Sequence, residues 1–141
     1  MTRLPSKLIF VFLALSVAIA FTSCSSHQRL LDEGNYDMVI ERSLSRMTGK
    51  SKRDAMEVAA LEEAFAKVMA EETLELTRLK LASEPDIWPA LFRIYNRIAA
   101  RQEKIAPFIP LVDENGYEAQ FKFMKVLPLL EEARKKSAAY Y

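Results

Sequence analysis

One cysteine, one histidine and three glycines are all that 141 residues contain of these types, and 20 Lys+Arg nearly cancel 19 Asp+Glu. A single cysteine excludes an internal disulfide framework, and with one histidine it also excludes the usual four-ligand Cys/His zinc site. A net charge of +1 lacks the basic excess of a nucleic-acid binder, so no nucleic-acid partner is expected. No metal ligands and no catalytic residues are expected either, because no nucleophile stands beside a base and no glycine-rich loop is present. Gly49-Lys50-Ser51 imitates a phosphate loop, but Leu44 occupies the position of the required upstream glycine.

Half of the chain is hydrophobic, and the most apolar stretch lies at the N-terminus. Arg3 and Lys7 precede an uncharged run from Leu8 to Phe21, followed by Thr22, Ser23 and Cys24. As a helix this run would reach about 21 Å, short of the ~30 Å hydrocarbon core of a bilayer. A basic start, a short apolar middle and a small-residue end read as an export signal over residues 1–23. Its removal takes Arg3 and Lys7 with it, so the net charge of +1 becomes −1.

Phe21-Thr22-Ser23-Cys24 resembles the lipobox of bacterial lipoproteins, although Phe21 stands where that family usually has Leu. The resemblance implies cleavage between Ser23 and Cys24, acylation of Cys24, and a flexible tether over residues 24–29. The covalent lipid is then the only cofactor. Two or more acyl chains, at ~0.8 kcal/mol per buried methylene, hold a protein on a membrane where one does not. With no acidic cluster near Cys24, the expected location is the periplasmic face of the outer membrane. Ala18-Ile19-Ala20 also fits a cut after Ala20, which would release a soluble secreted protein with a free thiol.

Beyond the tether, scarce glycines and few β-branched runs predict an all-α fold. Gly34 ends a short helix, Asn35 is placed to cap the next, and Tyr36, Val39, Ile40, Leu44 and Met47 share one helical face. Leu30-Leu31-x-x-Gly34-x-Tyr36-x-x-x-Ile40 resembles the inter-helix turn of a tetratricopeptide repeat, in which the Gly and the Tyr let two helices approach. No second Gly-x-Tyr follows at the ~34-residue period. The expectation for residues 30–141 is therefore antiparallel, tetratricopeptide-like helical hairpins without a full array.

Asp54 is placed to cap a helix over 54–82, with Val58, Leu61, Phe65, Val68, Leu76 and Leu79 on one stripe. Glu72 interrupts that stripe, which predicts a kink or an exposed stretch near 70–73. Glu62, Glu63, Glu71, Glu72 and Glu75 read as a solvated face, with Glu63 four residues before Lys67. A third helix follows Pro85 and Pro89 and ends before Pro107. Its apolar face comprises Trp88, Leu91, Phe92, Tyr95, Ile98, Ala99 and Ile105, which pairs it with the preceding helix. Arg93, Arg97 and Arg101 recur every four residues and form either an interaction stripe for lipid phosphates or an acidic partner, or a set of structural ion pairs.

Alternation in Ala119-Gln-Phe121-Lys-Phe123 and the Asn115-Gly116 pair predict a small β-hairpin near 108–124, with Phe121 and Phe123 packed on the helices. A last helix runs from Val126 to Tyr141, with Leu127, Leu130, Ala133 and Ala138 inward and Pro128 in its first turn. Ile94–Leu111 and Glu132–Tyr141 resemble the N-terminal part of longer envelope lipoproteins that continue into further helical pairs, so the domain reads as incomplete at its C-terminal end. The functional expectation is a non-enzymatic, lipid-anchored helical scaffold with envelope protein partners. A lipid-binding or chaperone protein is the alternative, and a hydrolase a more remote one.

Overall fold

A computed structural model describes residues 26–140. Ser23, Cys24 and the rest of the expected signal lie outside these residues. The described chain is mostly helical and contains no sheet. Asn35 closes one compact unit and Tyr36 opens the second.

In the first unit, residues 26–32 form helix α1, so the expected tether is helical from residue 26 onward. Side-chain pairs one turn apart support it, with Gln28 donating to Asp32 at 2.8 Å and Arg29 3.7 Å from Glu33. Gly34, at φ +76°, ends the helix. Its N–H reaches the Leu31 carbonyl at 3.2 Å and that of Asn35 reaches the Leu30 carbonyl at 2.8 Å, the paired closure that favours glycine.

The second unit contains α2 (Tyr36–Met47), α3 (Ala55–Ala82), α4 (Ile87–Ile105), a 3₁₀ turn (Ala106–Phe108) and α5 (Val126–Tyr140). The caps follow local chemistry. The Asp54 carboxylate accepts from the N–H groups of Met56 and Glu57, meeting two of the donors that a helix start leaves open. At the other end of α4, Pro107 tightens the chain into the 3₁₀ turn.

Most of the unit's helix packing is α2 along α3 and α4 along α5, with a shorter contact between α3 and α4. Cross-helix pairs give the directions. Arg46 meets Glu57, Glu75 meets Arg97, and Lys136 lies over the Trp88 ring, so successive helices run antiparallel. The two longest helices do touch, but each has another helix as its main partner.

The core follows the expected faces of α2, α3 and α4: Val39, Ile40 and Leu44; Val58, Leu61, Phe65 and Val68; Leu91, Tyr95 and Ile98 are all buried, and Ile94, outside the expected face of α4, is buried with them. Helix α5 departs from expectation. Val126 and Ala133 are buried, while Leu127 is 71% exposed and Ala138 is also exposed. Two turns of helix separate Val126 from Ala133, and the rotation that turns both inward carries Leu127 outward.

The expected β-hairpin is reduced to a single antiparallel bridge between Val112 and Glu118. The turn itself forms: the Asp113 side chain accepts from the N–H groups of Asn115 and Tyr117 at 2.8 and 2.9 Å. Pairing stops because the groups of the next hydrogen-bonded pair are taken: the Ile109 N–H donates to the Ala106 carbonyl at 3.2 Å and the Phe121 carbonyl accepts from the Phe123 N–H at 3.1 Å, while the Gln120 N–H, turned away from the partner segment, donates to Glu62 at 2.6 Å. Phe121 and Phe123 nonetheless pack on the helices as expected, with ring centroids 5.5 and 5.6 Å from that of Phe65.

Candidate functional site

Two features of the second unit concentrate polar chemistry. The first is a cluster of charges joining α2, α3 and α4. Arg101 is 4% exposed and meets Asp37 at two points, at 2.7 and 3.0 Å. Its Nη2 lies 3.4 Å from Glu72 Oε1, and the same oxygen accepts from Arg97 Nε at 3.0 Å. Arg97 also lies 3.7 Å from Glu75, and two turns further along α4 Lys104 bonds Glu41.

Helical periodicity builds this cluster. Arg97, Arg101 and Lys104 share one face of α4, as Asp37 and Glu41 do on α2 and Glu72 and Glu75 on α3. The Arg101 hydrogen bond is the main cause holding the Asp37 carboxyl below its ordinary range; burial opposes it and the charges of Arg101, Lys104 and Arg97 add to it. For Arg101 itself, burial is the largest influence and works against the charge. The hydrogen bond and charge of Asp37, with those of Glu72, outweigh it and raise the pKa.

Glu72 Oε2 and Arg101 Nη1 are buried and have no protein hydrogen-bond partner. Such groups raise the cost of disturbing the cluster. Because every arginine or lysine in it already faces a carboxylate, the cluster acts as a brace between helices and has no unpaired cation to offer a ligand.

The second feature is the connection between α4 and α5, held by side chains instead of a sheet. Glu114 accepts from Lys52 at 3.1 Å, and its N–H donates to the Arg53 carbonyl at 2.8 Å. Tyr117 donates its hydroxyl to Glu62 at 2.9 Å, which raises the phenol pKa. Finally, the Gln102 amide pairs with the Met124 backbone both ways, donating to its carbonyl at 3.0 Å and accepting from its N–H at 2.7 Å. A side chain thus reproduces the two-bond pairing of a strand neighbour.

Of the sites expected from sequence, Cys24 and Ser23 lie outside the described residues. Gly34 closes α1 and half-buried Tyr36 opens α2. The arginine stripe divides: Arg101 is buried, Arg97 is half-exposed and paired, and Arg93 is exposed with no ion pair among the described residues. Structural ion pairing therefore accounts for two of its three members. Glu72 corrects an expectation. It is 7% exposed and sits in an unbroken helix, and it interrupts the apolar stripe because it faces two arginines.

Asp37 and Gln102 were not singled out from sequence. The signal for the cluster was present, since a glutamate inside an apolar stripe sat at the level of an arginine repeat on the antiparallel neighbour. Among the described residues, no group of three or more His, Cys, Asp and Glu is arranged to hold a metal, and no helix is long and apolar enough to cross a membrane. Comparison with protein-family models, curated proteins and solved structures finds no match.

Proposed function

We propose that this protein is a lipid-anchored helical scaffold of the bacterial cell envelope, acylated at Cys24 and presenting its helices to other envelope proteins from the periplasmic face of the outer membrane. The observation that carries the reading is the order of Arg3 and Lys7, the apolar run Leu8 to Phe21, and Thr22-Ser23 directly before the only cysteine. The packed helical unit supports the scaffold part. Its polar chemistry braces helices together, and several large apolar side chains, Leu74, Leu81 and Leu127 among them, remain on the surface.

Growth of producing cells with alkyne-labelled palmitate tests the anchor. The wild-type chain takes up label, Cys24→Ser does not, and the N-terminal peptide of the processed protein begins at Cys24. An unlabelled wild type with an N-terminus at Phe21 would establish the soluble secreted form. Label persisting in the Cys24→Ser variant would place acylation elsewhere and end the proposal.

A further inference from the structure

An open groove of about 840 Å³ runs between α3 and residues 120–124, within the ~300–1,000 Å³ range of small-molecule sites. Along α3 it extends from Phe65 to Thr77, about 18 Å at 1.5 Å per residue. Its walls are mostly hydrocarbon and thioether: Ala66, Met69, Ala70 and Leu74 on one side, Phe123 and Met124 on the other. Leu74 is 52% exposed and Phe123 38%, so this apolar surface faces solvent.

The polar residues of the groove decide what it can accept. The Thr73 hydroxyl donates to the Met69 carbonyl at 2.7 Å and that of Thr77 to the Thr73 carbonyl at 2.9 Å. Gln120 gives its backbone N–H to Glu62 and its side-chain amide to the Glu118 carbonyl at 3.3 Å. That leaves the Lys122 ammonium, which forms no ion pair among the described residues and is the only charged group in the lining. Long apolar walls with one unpaired cation and few uncommitted hydrogen-bonding groups complement an amphiphile with one hydrocarbon chain and one anionic head. A peptide would bring polar groups that these walls do not answer.

We propose that this groove binds an anionic single-chain lipid, its acyl chain lying along α3 between Ala66 and Thr77 and its head group on Lys122. The proposal is independent of the anchor, and its test removes the anchor's thiol. Membranes from cells producing the full chain with Cys24→Ser are irradiated with palmitate carrying a diazirine and an alkyne. A parallel sample receives the same acyl chain as an uncharged monoacylglycerol.

Crosslinks of the palmitate probe are expected in peptides covering residues 66–77 and 120–124. Ala70→Phe, which fills the groove, should lower that labelling about tenfold. Lys122→Glu should lower palmitate labelling about two- to fivefold, the range of a solvent-exposed ion pair, and leave the monoacylglycerol unaffected. Both positions are exposed, and unchanged circular dichroism of each variant verifies the fold. Crosslinks scattered outside the groove, labelling indifferent to Ala70→Phe, or equal responses of the two probes to Lys122→Glu would each overturn the proposal.

Discussion

Arg101 of α4 grips Asp37 of α2 through both carboxylate oxygens, although 64 positions separate them in sequence, and the same guanidinium reaches Glu72 on α3. One side chain thus connects three helices. Its value to the fold depends on what is left behind when it is removed.

Replacing Arg101 with Met is expected to destabilise the protein by about 3 kcal/mol, because Glu72 stays buried with only Arg97 to compensate it. Pairing that change with Glu72→Leu should recover most of the loss, since a well-packed apolar pair can match a buried ion pair. Urea unfolding of the two single variants and the double variant measures the coupling. A double variant no more stable than Arg101→Met would show that the cost lies elsewhere.

Asp37 supplies a pH dependence of definite sign. Its carboxyl is held below the ordinary value of 3.8, chiefly by the Arg101 hydrogen bond. The unfolded chain therefore takes up this proton more readily. The stabilisation is complete above the ordinary value and is lost as pH falls through the lower folded value. The stability gap between wild type and Asp37→Asn should stay constant from about pH 7 to pH 5 and narrow below about pH 4. The gap is modest, because the Asp37 side chain is 65% exposed. Chemical denaturation across that range checks it, and a gap undiminished at low pH contradicts the assignment.

Gln102→Leu removes both bonds to the Met124 backbone and is expected to cost about 1–3 kcal/mol. The loss should be local. Amide hydrogen exchange at Met124 and its neighbours should quicken, while the amides of α2 and the first half of α3 keep their protection. Uniform acceleration across the unit would mean that Gln102 supports the core instead of this connection.

At the start of α3, Asp54→Ala should cost about 1 kcal/mol through loss of the cap, and Asp54→Ser should restore most of it. Thermal unfolding of the two variants distinguishes a cap from a charge effect.

Local chemistry made much of the fold readable from the sequence. Asp54, Gly34 and Pro107 mark helix boundaries through the hydrogen bonds or backbone angles they permit, and the apolar faces of α2 to α4 follow helical periodicity. The residues that misled are those whose roles depend on distant partners. Glu72 looked like a break in a stripe until α4 placed two arginines against it. The run 119–123 alternates like a strand, but the Ile109 N–H and the Phe121 carbonyl that would continue its pairing are bonded to Ala106 and Phe123 instead. For Leu127, nothing local distinguishes an inward position from an outward one.

The sequence by itself determined the helix boundaries at Gly34, Asp54 and Pro107, because caps and breakers act over a few residues through backbone donors and fixed dihedral angles; the start of α1 at residue 26 was not among them. It also placed the only cysteine directly behind an apolar run, on which the proposed anchor rests. Only the tertiary structure decided that the arginine stripe is mostly a brace, that a glutamine side chain takes the place of a missing strand, and that Lys122 stands alone beside an apolar groove. Each of these depends on which side chains meet across antiparallel helices, and that register is set by packing of the whole unit.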